Sequence, residues 1–211
     1  MDINGLRTFF EHRTPDILGS ENFAKFSLLL PLIQKGDELH LLFEVRSLFM
    51  RSQPGEVCFP GGKIDPGDKG PDYAAIRETH EELGIPMDHI SVLFPLDFIL
   101  SPFGTIIYSY VGLIDLKEMK LNEAEVEEVF TVPLSFLLKT EPTLHHIQLR
   151  PEPEEDFPYH LIAHGKDYNW QIRSMEEYFY FYENRIIWGL TARVLKHFLD
   201  IIRVSPDRLD K

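Results

Sequence analysis

The chain has 211 residues, of which 44% are hydrophobic and 26% are charged, so it can form one domain with a full core and is too apolar to be disordered. Acidic residues outnumber basic ones 34 to 21, giving a formal net charge of −13, and this charge disfavours binding to nucleic acid or to an anionic lipid surface. A phosphorylated small molecule would need a bound cation or a local basic pocket to overcome the same repulsion. We therefore expect neither nucleic acid nor a membrane as a partner.

The cysteine content and the N-terminal segment favour a reducing compartment. Cys58 is the only cysteine, so the chain can form no internal disulfide and has no pair of thiols for a zinc site. Because Cys58 lies between Val57 and Phe59, we expect a buried thiol rather than a catalytic one. The segment 1–10 lacks the apolar stretch of a secretory signal, and no run approaches the ~18 apolar residues of a membrane span. A cytoplasmic location is expected.

The first half of the chain predicts a hairpin, a glycine-containing loop and a helix. A Lys35-Gly36-Asp37 turn separates two apolar runs, which is typical of a β-hairpin. Pro71 is suited to the first turn of a helix and Gly84 to its C-terminal end. The predicted elements are, in chain order, a helix at 3–12, strands at 26–32, 38–46 and 57–59, a loop at 63–70, and a helix that starts near Pro71.

The second half predicts further strands and a closing helix. No internal repeat and no long linker is visible, so we expect a single domain over residues 1–211 with its core at about 22–202. The interleaving of strands and helices without regular βαβ alternation favours a mixed sheet covered by helices on both faces. The predicted elements are strands at 91–100, 105–114 and 129–132, a short helix at 133–138, an acidic loop at 152–156, strands at 159–163 and 177–182, and a helix at 186–202.

Three glutamates on the helix that follows Pro71 form the most informative pattern. Residues three and four positions apart share a face of a helix, so Glu78, Glu81 and Glu82 converge. The carboxylates repel one another, and a hard divalent cation such as Mg²⁺ or Mn²⁺ would relieve that repulsion by accepting oxygen ligands. Arg77 stands four residues before Glu81 and can pair with it. For an arbitrary Glu-x-x-Glu-Glu pattern a solvated helix face is the more frequent explanation. The residues that flank the pattern therefore decide between a solvated face and a metal site.

Those flanking residues resemble the Nudix box, the signature of the Nudix hydrolases. The resemblance rests on the glycines at 61 and 62, Arg77, the three glutamates and the Leu-Gly-Ile ending at 83–85. Asp65 or Asp68 stands for the family's usual loop glutamate, and the interval from Gly62 to Arg77 is one residue longer than usual. The resemblance implies the Nudix fold, an α/β/α sandwich of the α+β class with a mixed β-sheet between helices.

A second resemblance points to one subfamily. The segments 41–47, 50–51 and 55–62 are similar to the signature that precedes the box in coenzyme A pyrophosphatases, which also favour an aspartate-containing loop with the longer interval. The segment 187–193 is similar to the same subfamily, and the likeness extends over 26–199. Gln53 stands where those relatives commonly carry a histidine. This resemblance implies hydrolysis of the diphosphate bond of coenzyme A or acyl-coenzyme A to 3′,5′-ADP and (acyl-)4′-phosphopantetheine.

Two alternatives stay open at this point. Another Nudix substrate is the first, such as ADP-ribose or another nucleoside diphosphate derivative. The second belongs to a different class, a Nudix-like module that senses a nucleotide without cutting it, and the intact glutamates argue against it. The expected partner of the chain is a small-molecule nucleotide substrate similar to coenzyme A. Whether the chain forms a homodimer is left open.

The resemblance and the chemistry of phosphate together give the expected site. Arginine offers a planar fork of donors that suits phosphate, and a glycine lets the backbone approach a phosphate or offer a carbonyl to a metal. Within the acidic run 123–128, Glu125 or Glu127 could complete the metal site or act as base, although a solvated run explains them equally well. The expected residues are Glu81, Arg77 and Glu125 for catalysis, Glu78, Glu82 and Glu81 for Mg²⁺ or Mn²⁺, and Arg46, Arg51, Gly61, Gly62 and Lys63 for the substrate.

Two further groups of residues invite weaker interpretations. The histidines at 145, 146, 160 and 164 do not have the spacing of a zinc site on a helix, so structural roles are expected. The aromatic run 178–182 should place one face in the core. The other face is a candidate for stacking an adenine or lining a channel for pantetheine.

Overall fold

Four helices and eleven strands make up the part of the chain that the computed structural model describes, residues 2–204. The helices are α1 (Ile3–Phe10), α2 (Pro71–Leu83), α3 (Leu134–Lys139) and α4 (Gly189–Arg203). The strands are β1 (Ala24–Lys35), β2 (Glu38–Arg46), β3 (Val57–Cys58), β4 (Gly61–Lys63), β5 (Ile90–Pro95), β6 (Ile99–Ser101), β7 (Thr105–Ile114), β8 (Val126–Pro133), β9 (Thr143–Leu149), β10 (Arg173–Tyr182) and β11 (Arg185–Trp188).

The longest strand, β1, organises the main sheet. It pairs in parallel with β7 and antiparallel with β2 and β4, and the path of the sheet is β3-β2-β1-β7-β5. Strand β8 adds to β2, and β6 adds to β7. The turn at 35–37 joins β1 and β2 in register from Lys35 opposite Glu38, as the sequence predicted. The sheet is therefore mixed, which confirms the predicted class.

Both faces of β1 are buried, because its side chains alternate between two apolar cores. Leu28, Leu30 and Leu32 pack in the larger core, which contains residues of α4 and of the second sheet. Leu29 and Ile33 face the opposite way and pack beneath α2. A strand buried on both faces reads as a continuous apolar run, which this segment of the sequence shows. The Nudix sandwich of a mixed sheet between helices is thus present.

One face of the sandwich differs from the expectation. A second sheet, in the order β11-β10-β9, shares that face with α4. The predicted strand at 159–163 was wrong, because Tyr159–Leu161 is a single 3₁₀ turn. Strand β9 was missed; nearly all its side chains are exposed, so it lacks the alternation of apolar and polar residues that would reveal it.

Two predicted boundaries also needed correction. The closing helix begins at Gly189 rather than at 186, because residues 186–188 belong to β11 and pair with β10. Trp188, the last residue of β11, is 40% exposed. The predicted strand at 91–100 is two strands, β5 and β6, that both pair with β7.

Other expectations hold within the described residues. Helix α1 was predicted, and the segment 152–156 is a loop. No helix between residues 2 and 204 is both long enough and apolar enough to cross a membrane. The predicted single domain covers residues 1–211. Residue 1, which begins the segment 1–10, and residues 205–211 lie outside the described residues.

Candidate active site

Helix α2 carries the box glutamates and is held at both ends. It starts with Pro71 in its first turn and ends at Gly84, whose φ of +66° is left-handed. A Cβ at Gly84 would lie 2.2 Å from the carbonyl oxygen of Lys120, so glycine is required there for two reasons. The buried stripe of the helix contains Ala74, Ala75, Thr79, Glu82 and Leu83. Glu82 is the acid in that stripe, which places a carboxylate against the sheet.

A backbone hydrogen bond connects Glu82 to the glycine loop. The N–H of Gly61 donates to Glu82 Oε2 at 2.9 Å, and Glu82 is only 3% exposed. Burial raises the pKa of Glu82 well above its ordinary value, and the negative charge of Glu44 raises it further, against the opposing effect of the Gly61 N–H. The site therefore disfavours an ionised Glu82 until a cation approaches it.

Gly62 provides the space that Glu78 occupies. A Cβ at Gly62 would lie 2.4 Å from the carboxylate of Glu78, so any side chain at this position would displace that carboxylate. Partial burial raises the pKa of Glu78, while the hydrogen bond from Arg77 lowers it. Because Glu78 and Glu82 are four residues apart, they stand one turn apart on the same side of α2.

Arg77 links the loop before α2 to the glutamates on it. Its guanidinium binds Asp68 through two hydrogen bonds, at 2.9 and 3.0 Å, and donates to the carbonyl oxygen of Lys63 at 3.0 Å. It also donates to Glu78 at 2.8 Å and to Glu81 at 3.1 Å. The hydrogen bonds from Arg77 hold the pKa of Asp68 below its ordinary value. A bidentate pair of this kind fixes the direction of both side chains.

This arrangement distinguishes the two loop acids that the sequence left open. Asp68 is the acid that holds Arg77, and its side chain is almost fully buried. Asp65 is exposed, and its backbone N–H donates to Asp68 Oδ2 at 2.8 Å. The longer loop thus contains a turn at 65–68, which hydrogen bonds between Asp65 and Asp68 stabilise.

A cavity of about 650 Å³ opens beside these carboxylates. It contacts six of the residues expected from the sequence, namely Arg46, Gly61, Gly62, Glu78, Glu82 and Glu125. Gln53, which has a positive φ of 53°, also lines it. Met50 and Trp188 contribute apolar surface. A volume of this size is typical of a small-molecule site.

Four expected residues lie outside the lining of this cavity. Arg51 and Lys63 are exposed at the surface, and the Lys63 carbonyl takes part in the site by accepting from Arg77. Glu81 is 49% exposed and pairs with Arg77. Arg77 itself acts behind the cavity wall, through Glu78 and Glu81.

Glu125 reaches the cavity from the loop before β8. Its carboxylate accepts a hydrogen bond from Asn122 Nδ2 at 3.3 Å, and its carbonyl oxygen accepts from the N–H of Ser47 at 2.8 Å. Glu127, the alternative within the acidic run, is exposed. The loop therefore places Glu125 at the cavity and directs Glu127 towards solvent.

Glu44 is a buried acid near Glu82 that the sequence interpretation did not single out. It is 1% exposed, and burial raises its pKa to about 7. The thiol of Cys58 donates to Glu44 Oε1 at 3.1 Å. Burial and the charge of Glu44 raise the pKa of Cys58, so the thiol stays protonated and is a poor nucleophile. Cys58 is partly rather than fully buried, which corrects the expectation of a buried thiol.

The carboxylates fit a divalent cation by their chemistry. Within residues 2–204, no group of three His, Cys, Asp or Glu side chains is already arranged to hold a metal ion. Glu44 Oε2 is nevertheless buried without a hydrogen-bond partner, and Glu44, Glu78 and Glu82 all have raised pKa values. Oxygen donors of this kind suit Mg²⁺ or Mn²⁺.

One face of the aromatic run 178–182 packs in the core, as expected. Tyr178, Tyr180 and Tyr182 pack in the larger core. Phe179 lies on the other face and stacks on Trp188, with ring centroids 5.8 Å apart and planes inclined by 10°. Since Trp188 lines the cavity, the outer face of this strand supports the cavity wall.

Comparison with known proteins identifies the family of the chain. The NUDIX domain family matches residues 28–152. The mouse protein "Peroxisomal coenzyme A diphosphatase NUDT7" is 37% identical over 141 residues, which cover 66% of this chain and 59% of the mouse protein, less than two thirds of it. The "Uncharacterized Nudix hydrolase NudL" of Photorhabdus laumondii is 33% identical over 186 residues, 88% of each chain.

A solved structure is similar over most of the chain. The MutT/nudix family protein from Enterococcus faecalis matches 96% of this chain and 70% of its own, with a TM-score of 0.49 and 15% identity. The family match defines the chain as a hydrolase of the class that acts on diphosphate bonds. The chain belongs to the Nudix hydrolase family, whose members generally use divalent metal ions.

We predict that Asp68→Asn lowers the free energy of unfolding by about 1–3 kcal/mol, because the substitution removes the charge that binds Arg77. Hydrolytic activity should fall about tenfold or more, because Arg77 then positions Glu78 less well. Asp65→Asn is the matched control and should change neither quantity. Urea unfolding and steady-state kinetics on the two variants provide the test. Equal effects of the two substitutions would contradict the role of Asp68.

Proposed function

We propose that this enzyme hydrolyses the diphosphate bond of coenzyme A or acyl-coenzyme A to 3′,5′-ADP and (acyl-)4′-phosphopantetheine, with Mg²⁺ or Mn²⁺ as cofactor. The observation that carries the proposal is a single cavity that contacts both the box carboxylates and Arg46. The likeness to the mouse protein, whose name states a coenzyme A diphosphatase, supports the choice of substrate.

In this proposal Glu78 and Glu82 hold the cation, and Glu81 is a further ligand or orients one through Arg77. A divalent cation bound there offsets the charge of the diphosphate and lowers the pKa of the water that attacks phosphorus. Arg77 keeps Glu78 in place through the hydrogen bond at 2.8 Å. Gly61 and Gly62 line the cavity, and in this proposal their backbone contacts a phosphate of the substrate.

In this proposal, residues outside α2 transfer the proton and bind the substrate. Glu125 lines the cavity, and in this proposal its carboxylate accepts the proton of the attacking water. Arg46 binds a phosphate; its Nε donates to the Ser52 carbonyl at 3.3 Å, a bond that leaves the two Nη groups for the substrate. Arg51 and Lys63 are exposed beside the same loops and are further candidates for phosphate contacts.

The experiment that tests the reaction is a screen of diphosphate substrates with Mg²⁺, in which mass spectrometry identifies the products. Coenzyme A should give 3′,5′-ADP and 4′-phosphopantetheine. Glu82→Gln should lower kcat a hundredfold or more at fixed Mg²⁺, since loss of one ligand removes on the order of 3 kcal/mol of transition-state stabilisation. Full activity in a folded Glu82→Gln protein would rule out this metal site. A preference for ADP-ribose would overturn the substrate, and absence of turnover on every diphosphate would favour a sensing module.

A second experiment tests how the 3′-phosphate of coenzyme A is recognised. Arg46→Ala should reduce kcat/KM for coenzyme A about ten- to a hundredfold, because a charge-assisted bond to phosphate contributes roughly 1.5–3 kcal/mol. The same change should barely affect 3′-dephospho-coenzyme A, which lacks that phosphate. Arg51→Ala, measured in parallel, tests the exposed candidate in the same way. Equal losses on both substrates would mean that the arginine holds the diphosphate or the fold instead.

A further inference from the structure

Glu44 lies in a row of side chains that faces α2. Along β2, Leu41, Phe43 and Val45 pack in the larger core, and Leu42 packs in the core beneath α2. Side chains two positions apart on a strand point to the same face, so Glu44 follows Leu42 towards α2. At that point α2 presents Glu82 to the sheet. The buried carboxylates of Glu44 and Glu82 therefore approach each other, whereas the preceding residue on this face of β2, Leu42, is apolar.

Of the two carboxylate oxygens of Glu44, one has a hydrogen-bond partner among the described residues and the other has none. On the neighbouring strand, Cys58 stands directly opposite and its thiol donates to Oε1. Val129 stands opposite on the other side and offers no polar atom from its side chain. Oε2 is buried and has no hydrogen-bond partner. Arg46, two positions along β2, donates to the carbonyl of Ser52 rather than to Glu44.

A buried carboxylate without a cation is costly, and an apolar residue would fill this position as Leu42 fills the previous one. A cation that reaches Oε2 would explain why a glutamate occupies this position. Glu82, Glu78 and Glu125 converge on the adjacent cavity, and in the proposed function a divalent cation binds among them. Glu44 itself does not line the cavity; it contributes a buried oxygen without a hydrogen-bond partner, on the strand face that α2 and Glu82 cover.

We propose that Glu44 is a further carboxylate of the metal centre, which acts on the cation from beneath Glu82 and is oriented by the thiol of Cys58. The inference rests on the metal dependence of the proposed function, and it adds a residue from outside the box. Glu44 acts on the ion directly or through one bound water, and in either case its negative charge strengthens binding of the cation. The competing explanation is a neutral, purely structural carboxylic acid.

The test measures binding of Mn²⁺ alone, without substrate, by electron paramagnetic resonance of the free ion. Glu44→Gln keeps the shape of the side chain and removes its charge. We expect its affinity for Mn²⁺ to fall about 10–100-fold, the usual effect of losing a supporting group at a metal site. The melting temperature of the metal-free protein should stay equal or rise, because a buried charge has been removed.

Glu155→Gln is the matched control, because it removes one negative charge at an exposed position of the loop 152–156. It should bind Mn²⁺ like the wild-type protein. Wild-type affinity in Glu44→Gln would overturn the inference, and so would failure of that variant to fold or a clear drop in its metal-free melting temperature, since these outcomes assign Glu44 a structural role. A wild-type protein that binds no Mn²⁺ would overturn the whole metal centre, whereas Mn²⁺ binding without turnover of coenzyme A would overturn only the substrate.

Discussion

The hydrogen bond from the Gly61 N–H to the buried carboxylate of Glu82 joins the glycine loop to helix α2, and the rest of the site depends on it. Strand β4 can lie close to β1 because residue 61 has no side chain; a Cβ there would be 2.4 Å from the Ser27 carbonyl oxygen. With the loop in that place, Glu78 occupies the space beside Gly62. The Asp68–Arg77 pair then closes the loop over the start of α2.

The same arrangement creates an electrostatic conflict that gives the site its chemistry. Glu44, Glu78 and Glu82 are withdrawn from water to different degrees, and their pKa values are raised by that withdrawal. The whole chain carries a formal charge of −13, so it offers little general attraction to a polyphosphate. Within residues 2–204, Arg46 is the one basic residue that lines the cavity. A bound divalent cation would relieve both the carboxylate repulsion and the repulsion of the substrate.

Much of this site could be predicted from the sequence, because its elements are encoded locally. The helix α2 has proline at its start, glycine at its end and glutamates at helical spacing between them, so its position and the grouping of Glu78 with Glu82 needed no tertiary information. The turn of Glu81 towards Arg77 and solvent depends on how α2 rotates against the sheet. That rotation is set by the packing of Ala75 and Leu83, which sequence spacing describes only approximately.

Residues joined across strands were harder to predict. Glu44 looks like an ordinary strand residue until β3 brings Cys58 opposite it and α2 brings Glu82 above it. Strand β9 is held by backbone pairing with β10, and its exposed side chains leave no periodic signal. The apolar residues of β11 run directly into those of α4, and the break between them is a glycine with φ +63° at position 189.

The proposed reaction depends on a divalent cation that binds among the buried carboxylates beneath and beside α2. The most direct measurement is anomalous diffraction from crystals grown with Mn²⁺. We expect an anomalous peak within ligand distance of the carboxylates of Glu78 and Glu82, in the cavity that Arg46 and Glu125 also line. A map without a peak there at saturating Mn²⁺, or with a peak only at the exposed acidic loop 152–156, would contradict it.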